Sequence, residues 1–208
     1  NVEESGTTLR FILPLASLVG QKITVEGRGT LLGRPNLFLT ETLRKMGADI
    51  QGQGKKESVP IRIQGGILRG GEITINGGLS SQFISALLIT CPRLKENTHL
   101  RLTGRNLVSL DYISMTLKVL EQSGIKIQRK GLRDFYIPGD QKFEGLKNFA
   151  IPLDYGLAAF LMAAAILTRS KVILKGVFRD DLLQADGQIL TFLEKMGVHF
   201  ESDSRMIK

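Results

Sequence analysis

Three stretches of the chain read as largely apolar helices, and each is followed by an alternating stretch and then by a second helix. The first runs from Gly6 to Leu18, with Thr7-Thr8 near its start and Leu9, Ile12, Leu13, Leu15 and Ala16 as its apolar set. Pro14 falls inside it and is expected to kink it or to mark an early start, because proline lacks the N–H that a helix interior uses. The second begins at Gly78-Leu79-Ser80-Ser81-Gln82-Phe83 and continues apolar on nearly every side to Ile89, so it should be buried. The third covers about Tyr155 to Leu167. Alternation predicts strands at Lys22 to Gly27, His99 to Gly104 and Lys171 to Gly176, each ending in glycine.

The second helices are amphipathic. Pro35 to Met46 carries Leu39, Leu43 and Met46 at helical spacing, and Pro35 suits a first helical turn. Ser109 is expected to cap a helix carrying Ile113, Leu117 and Leu120. The last ends at Phe192-Leu193-Glu194-Lys195-Met196-Gly197. Gly47, Gly124 and Gly197 stop these helices, at separations of 77 and 73 residues. Closing strands are expected at Asp49 to Gln51, Pro60 to Ile63, Glu72 to Ile75, Ile125 to Ile127, Phe135 to Ile137 and Val198 to Phe200. The chain is therefore an α/β repeat of about three units, each larger than a solenoid repeat.

Composition narrows the function classes. Of 208 residues, 42% are hydrophobic and 23% charged, as in an ordinary globular chain. The longest apolar run, Ala158 to Leu167, is too short to cross a bilayer. One cysteine, Cys91, excludes an internal disulfide and a multi-cysteine metal site, and fits a buried thiol in a reducing cytoplasm. The net charge is +8, but the basic residues are scattered, tryptophan is absent and aromatics are 6%. A small-anion site fits that pattern better than a nucleic-acid groove.

The candidate chemistry lies at the helix starts. Ser80 or Ser81 is a natural N-cap, and capping alone is the commoner role for such a serine. The arrangement recurs, however, in Ser5-Gly6-Thr7-Thr8 and at Ser109. If the repeats pack side by side, converging helix N-termini and hydroxyls favour phosphate or carboxylate. Gly6 would let backbone approach a ligand. Arg10, one turn into the first helix, and Arg34, between a glycine loop and a proline, could capture an anion in a bidentate manner. Arg28 and Arg105 read as surface charges. His99 and His199 sit in predicted strands with no partner pattern, and Asp180-Asp181 reads as a helix-entry acidic pair. Gly27-Arg28-Gly29 lacks the rest of a nucleotide-binding pattern. No cofactor or metal is expected.

Taken together, Ser5-Gly6-Thr7-Thr8-Leu9-Arg10, Arg34-Pro35, Ser80-Ser81-Gln82-Phe83, Leu107-Val108-Ser109 with Tyr112, and Leu193-Glu194-Lys195-Met196-Gly197 resemble the 5-enolpyruvylshikimate-3-phosphate synthase family. Their order and spacing match over almost the whole chain. The resemblance implies an inverse α/β-prism fold of βαβαββ units, six in two domains, with substrates held in the cleft between them. It implies transfer of the enolpyruvyl group of phosphoenolpyruvate to shikimate 3-phosphate, a step of the shikimate pathway to chorismate and aromatic amino acids. It implies a cytoplasmic, monomeric full-length enzyme with small-molecule substrates, and neither nucleic acid nor membrane as partner. Position by position, it assigns shikimate 3-phosphate to Ser80, Ser81, Gln82, Ser109 and Tyr112, and phosphoenolpyruvate to Gly6, Arg34 and Gln82, with Thr7 a neighbour.

Against the family pattern, the opening Lys-Ser segment and the later Pro-Asp motif have no counterpart. The resemblance thus places this chain in the middle of the enzyme: 1–150 as two repeats of the shikimate-3-phosphate domain, and 151–208 as one repeat of the second. Catalytic residues are expected outside these 208 residues, and turnover by them alone is not expected. Glu4 stands where the family usually has Asn, Leu32-Gly33 replaces a more basic run, and Asp154-Tyr155-Gly156-Leu157-Ala158 replaces an Asp followed by a Ser pair. The same-fold alternative is UDP-N-acetylglucosamine enolpyruvyl transferase, which places a Cys where this chain has Gly29. A non-catalytic anion-binding module on the same fold is another, and uncovered prism faces would favour self-association.

Overall fold

The computed structural model describes residues 1–146, 148–177 and 184–208. The expected acidic pair Asp180-Asp181 lies outside the described residues. The chain divides into two compact units, Asn1–Gly145 and Leu146–Lys208.

The first unit contains two copies of one motif. The first copy runs α1 (Gly6–Ser17), β1 (Ile23–Val25), α2 (Leu37–Lys45), β2 (Ala48–Gln53) and β3 (Ser58–Gly66). The second runs β4 (Gly71–Asn76), α3 (Ser81–Thr90), β5 (Thr98–Thr103), α4 (Leu110–Gln122), β6 (Gln128–Lys130) and β7 (Asp134–Ile137). The sheets repeat as well. β1, β3 and β2 are neighbours in that order, and β5, β7 and β6 follow the same order, with every one of these pairs antiparallel. β4 adds a parallel partner to β5 across α3, giving the second copy its full βαβαββ form.

Local chemistry sets the helix ends. Ser5 accepts from Thr8 N at 3.2 Å and Ser80 from Gln82 N at 3.2 Å, so Ser80 rather than Ser81 is the cap of α3. The helix-stop glycines Gly47, Gly124 and Gly197 all take positive φ (106°, 81° and 82°), which a side chain would resist. α3 lies between α1 and α4 and is buried except at Gln82 and Ile89. Leu9, Leu13, Leu43, Ile61, Ile84, Leu87, Leu100 and Phe135 are among the side chains that form one continuous core.

Several expectations need correction. α1 starts at Gly6 and continues past a buried Pro14 to Ser17, so the proline does not mark a helix start. Pro35 precedes α2, whose cap position is Asn36. Ser109 occupies the cap position of α4 but in the left-handed region (φ 52°, ψ 50°), and its side chain makes no capping bond; capping requires an extended cap residue. The third strand of the second sheet is Gln128–Lys130 rather than Ile125 to Ile127, because Ile125 turns into the core and Ile127 packs against it.

The partnerless histidine reading also fails for His99. Cross-strand register sets it opposite Glu72 on β4 and Tyr136 on β7. Its Nδ1 lies 2.9 Å from Glu72, its Nε2 lies 3.1 Å from Asp134, and its ring stacks on Tyr136 at 4.1 Å. Arg101 Nε donates to the same Asp134 at 2.9 Å and, foremost among the causes, holds that carboxyl below the usual range. This cluster ties β4, β5 and β7 together.

The second unit contains α5 (Tyr155–Thr168), β8 (Leu174–Lys175), α6 (Gln188–Lys195) and β9 (Met206–Ile207). Asp154 caps α5 by accepting from Leu157 N at 3.0 Å. β8 and β9 pair antiparallel. The strand predicted at Lys171 to Gly176 shrinks to two residues, and Val198 to Phe200 forms no strand. A small core of Ala158, Met162, Leu174, Leu193 and Ile207 leaves a cavity of about 620 Å³ beside it, lined in part by Ile166, Val172 and Phe200.

Candidate functional site

Four helix starts are joined by direct contacts in the first unit. α1 meets α3 through Gln82, whose Nε2 donates to Thr7 Oγ1 at 2.8 Å and whose Oε1 accepts from Arg10 Nη1. α1 meets the segment before α2 through Arg10, whose Nη2 donates to Pro35 O at 3.4 Å, and through Gly6. A Cβ on Gly6 would stand 2.6 Å from Arg34 Nη1, so the guanidinium of Arg34 lies directly over the first helical residue. The segment before α3 meets the segment before α4 through Val108 N, which donates to Gly77 O at 3.1 Å.

The segment carrying Arg34 is fixed on its other side. Its carbonyl accepts from Asn36 Nδ2 at 3.1 Å and from Ser58 Oγ at 3.1 Å, while Asn36 N donates to Lys56 O at 2.8 Å. The Arg34 side chain remains exposed. Arg10 is half-buried, with its guanidinium 5.0 Å from the Phe83 ring centroid. Burial, and secondarily Arg34, push the Arg10 pKa down. Neither arginine has a carboxylate partner among the described residues. Two cations thus share one end of the unit with two helix N-termini, neither bonded to a carboxylate among the described residues, an arrangement that favours an anion.

The structure therefore brings Gly6, Thr7, Arg34 and Gln82 into one cluster. Ser80 sits beside it with its hydroxyl engaged by Gln82 N, and Ser81 is buried at the first residue of α3. Ser109 is exposed at the start of α4, and Tyr112, also exposed, lies one turn further with its N–H on Ser109 O at 3.1 Å. Phe83 is the addition, and Arg10, expected from the sequence to capture an anion, is instead bonded to Gln82 and Pro35. Phe83 reads from sequence as core, and it is core, at 4% exposure. Glu4 is exposed; its carboxylate fills the space in which a side chain at position 29 would stand, and Glu3 pairs with Arg28 at 2.5 Å. Among the described residues no three His, Cys, Asp or Glu side chains converge as metal ligands, and no helix is long and apolar enough to cross a membrane.

A sequence profile for EPSP synthase (3-phosphoshikimate 1-carboxyvinyltransferase) matches residues 1–207. The chain belongs to the EPSP synthase family. Among curated relatives, the 3-phosphoshikimate 1-carboxyvinyltransferase of Methanosarcina acetivorans is 38% identical over 203 residues, which is 96% of this chain and 46% of the relative. That of Archaeoglobus fulgidus is 36% identical over 205 residues, 99% of this chain and 47% of the relative. The solved EPSP synthase of Acinetobacter baumannii superposes with a TM-score of 0.70 at 24% identity, over 99% of this chain and 45% of that one. The chain thus has the fold of these synthases and spans about half the length of its curated relatives.

Proposed function

We propose that this chain supplies substrate-binding surface to an enolpyruvyl transferase that converts shikimate 3-phosphate and phosphoenolpyruvate to 5-enolpyruvylshikimate 3-phosphate and phosphate. The observation that carries the reading is the pair of guanidiniums, Arg10 and Arg34, set against the N-termini of α1 and α3. Both substrates are phosphate esters, and phosphoenolpyruvate adds a carboxylate. Arg34 pairs with the anionic groups of phosphoenolpyruvate, Gly6 admits it close to backbone, and Thr7 is its neighbour. Ser80, Ser81 and Ser109 take the phosphate of shikimate 3-phosphate, Tyr112 lines its ring, and Gln82 reaches both.

On this reading residues 1–150 are two repeats of the shikimate-3-phosphate domain and 151–208 are one repeat of the second. The catalytic acid and base lie on other residues, and the full-length enzyme is a cytoplasmic monomer. Gly29 and the Ser-Ser-Gln start of α3 favour shikimate 3-phosphate over a UDP-sugar acceptor.

Calorimetric titration of the chain with shikimate 3-phosphate in moderate salt tests the reading. Saturable binding is expected, weakened about tenfold by Ser81→Ala or Gln82→Ala, as loss of a charged hydrogen bond predicts. Binding that neither substitution changes, or none at all, contradicts this assignment and leaves a non-catalytic module on the same fold.

A further inference from the structure

We propose that Arg10 is a positioning residue: from α1 it fixes the side-chain amide of Gln82 on α3 and the Arg34-Pro35 segment ahead of α2, without itself contacting an anion. The inference rests on the reading of the site given above and assigns a separate task within it.

The donor inventory carries the point. A guanidinium only donates, so the Gln82 atom facing Arg10 Nη1 must be the amide oxygen. The nitrogen is then turned to Thr7 Oγ1, at 2.8 Å. A glutamine amide without such a neighbour can present either end; Arg10 removes the choice. Thr7 Oγ1 accepts from that nitrogen, which leaves the Thr7 proton and the second Gln82 N–H as two donors in a fixed relation to each other.

The other end of the fork holds Pro35 O, the carbonyl next along the chain from Arg34. Arg10 is thereby committed on three sides: to Gln82, to Pro35 and to the face of Phe83. Its Nε is buried with no partner. Every one of these partners is uncharged, and burial and Arg34 both oppose the cation. A lysine would keep the charge but could not reach two acceptors in one plane.

The test is nitrogen-15 NMR of the chain, with the Gln82 side-chain NH2 pair identified by its loss in Gln82→Ala. In the unsubstituted chain the pair is expected to be shifted from the free-glutamine position and slow to exchange with solvent. Free-glutamine behaviour there overturns the proposal without any further variant. In Arg10→Lys the pair is expected to move to the free-glutamine position and exchange at least about tenfold faster. The backbone amides of Leu100 and Phe135 should not move, which a general loss of structure would not allow.

Phosphoenolpyruvate affinity supplies the second readout. It should fall about tenfold in Arg10→Lys, and Arg10→Lys with Gln82→Ala should lose less than the sum of the two single losses, since the Gln82 share of the effect is counted in both. An unmoved NH2 pair, or losses that simply add, overturns the proposal. Absence of any phosphoenolpyruvate-induced shift in the unsubstituted chain refutes the anion-site reading instead, while the ligand-free spectra still decide whether Arg10 holds Gln82.

Discussion

Helices α3 and α5 are the most apolar of the chain, yet they meet different surroundings. Of the ten residues of α3, eight are buried, because α1 and α4 flank it and its apolar side chains belong to the continuous core. α5 has fourteen residues and buries only Ala158 and Met162. Phe160 is 76% exposed and Leu167 84% exposed. An apolar helix states a demand for burial; neighbouring elements decide whether the demand is met. The polar start of each helix follows the same division. The Ser-Ser-Gln start of α3 is engaged by α1, whereas Asp154 caps α5 with a bond to its own first turn.

The comparison is broken most sharply by cavity-forming substitutions. Leu87→Ala in α3 should cost about 2–5 kcal/mol in urea unfolding of the chain, since Leu87 is fully buried. Leu167→Ala in α5 should change stability by no more than about 0.5 kcal/mol. Equal costs would mean that α5 is covered in solution.

Self-association sharpens the contrast. The open face of α5, with the cavity of about 620 Å³ in the same unit, should drive the chain to associate at raised concentration. The double substitution Phe160→Ser with Leu167→Ser should weaken that association about tenfold in sedimentation velocity and leave the unfolding midpoint unchanged. Association that survives it would assign the contact to another surface.

The smallest effect concerns Cys91, at the end of α3. Burial pushes its thiol from an ordinary 9.0 up to about 12. The folded chain keeps the thiol neutral where the unfolded chain ionises it. This contribution to stability is therefore intact below pH 9.0 and is lost as pH rises from there towards 12. At pH 8 a thiol reagent should label Cys91 only as fast as the chain unfolds; rapid labelling of the native chain would show that the end of α3 is open.

Much of the first unit was legible in the sequence because its signals are local. Helix-stop glycines, serine caps and period-2 alternation each act within a few residues, and Gly47, Gly124 and Gly197 mark the repeat directly. Pairing is less local. Ile125 and Ile127 alternate like a strand, but they face the core, and the ladder forms one step later on Gln128 to Lys130, whose exposed polar residues carry no hydrophobic pattern. The two carboxylates on His99 come from strands 27 and 35 residues away, through register alone. In the site, Gly6, Arg34 and Gln82 could be named from the helix starts. The bond from Arg10 to Gln82 spans 72 residues and is a product of helix packing. Val198 to Phe200 alternate well, yet they find no strand partner among the described residues.

The most direct measurement is a backbone amide map of the chain during titration with shikimate 3-phosphate. Shifts at Thr7, Ser81, Gln82 and Ser109 that saturate together, with Leu174 and Phe200 in the second unit unmoved, are the predicted result. Saturating shifts confined to the apolar cavity of the second unit, or none at the starts of α1 and α3, would contradict the assignment of this cluster as the anionic-substrate site.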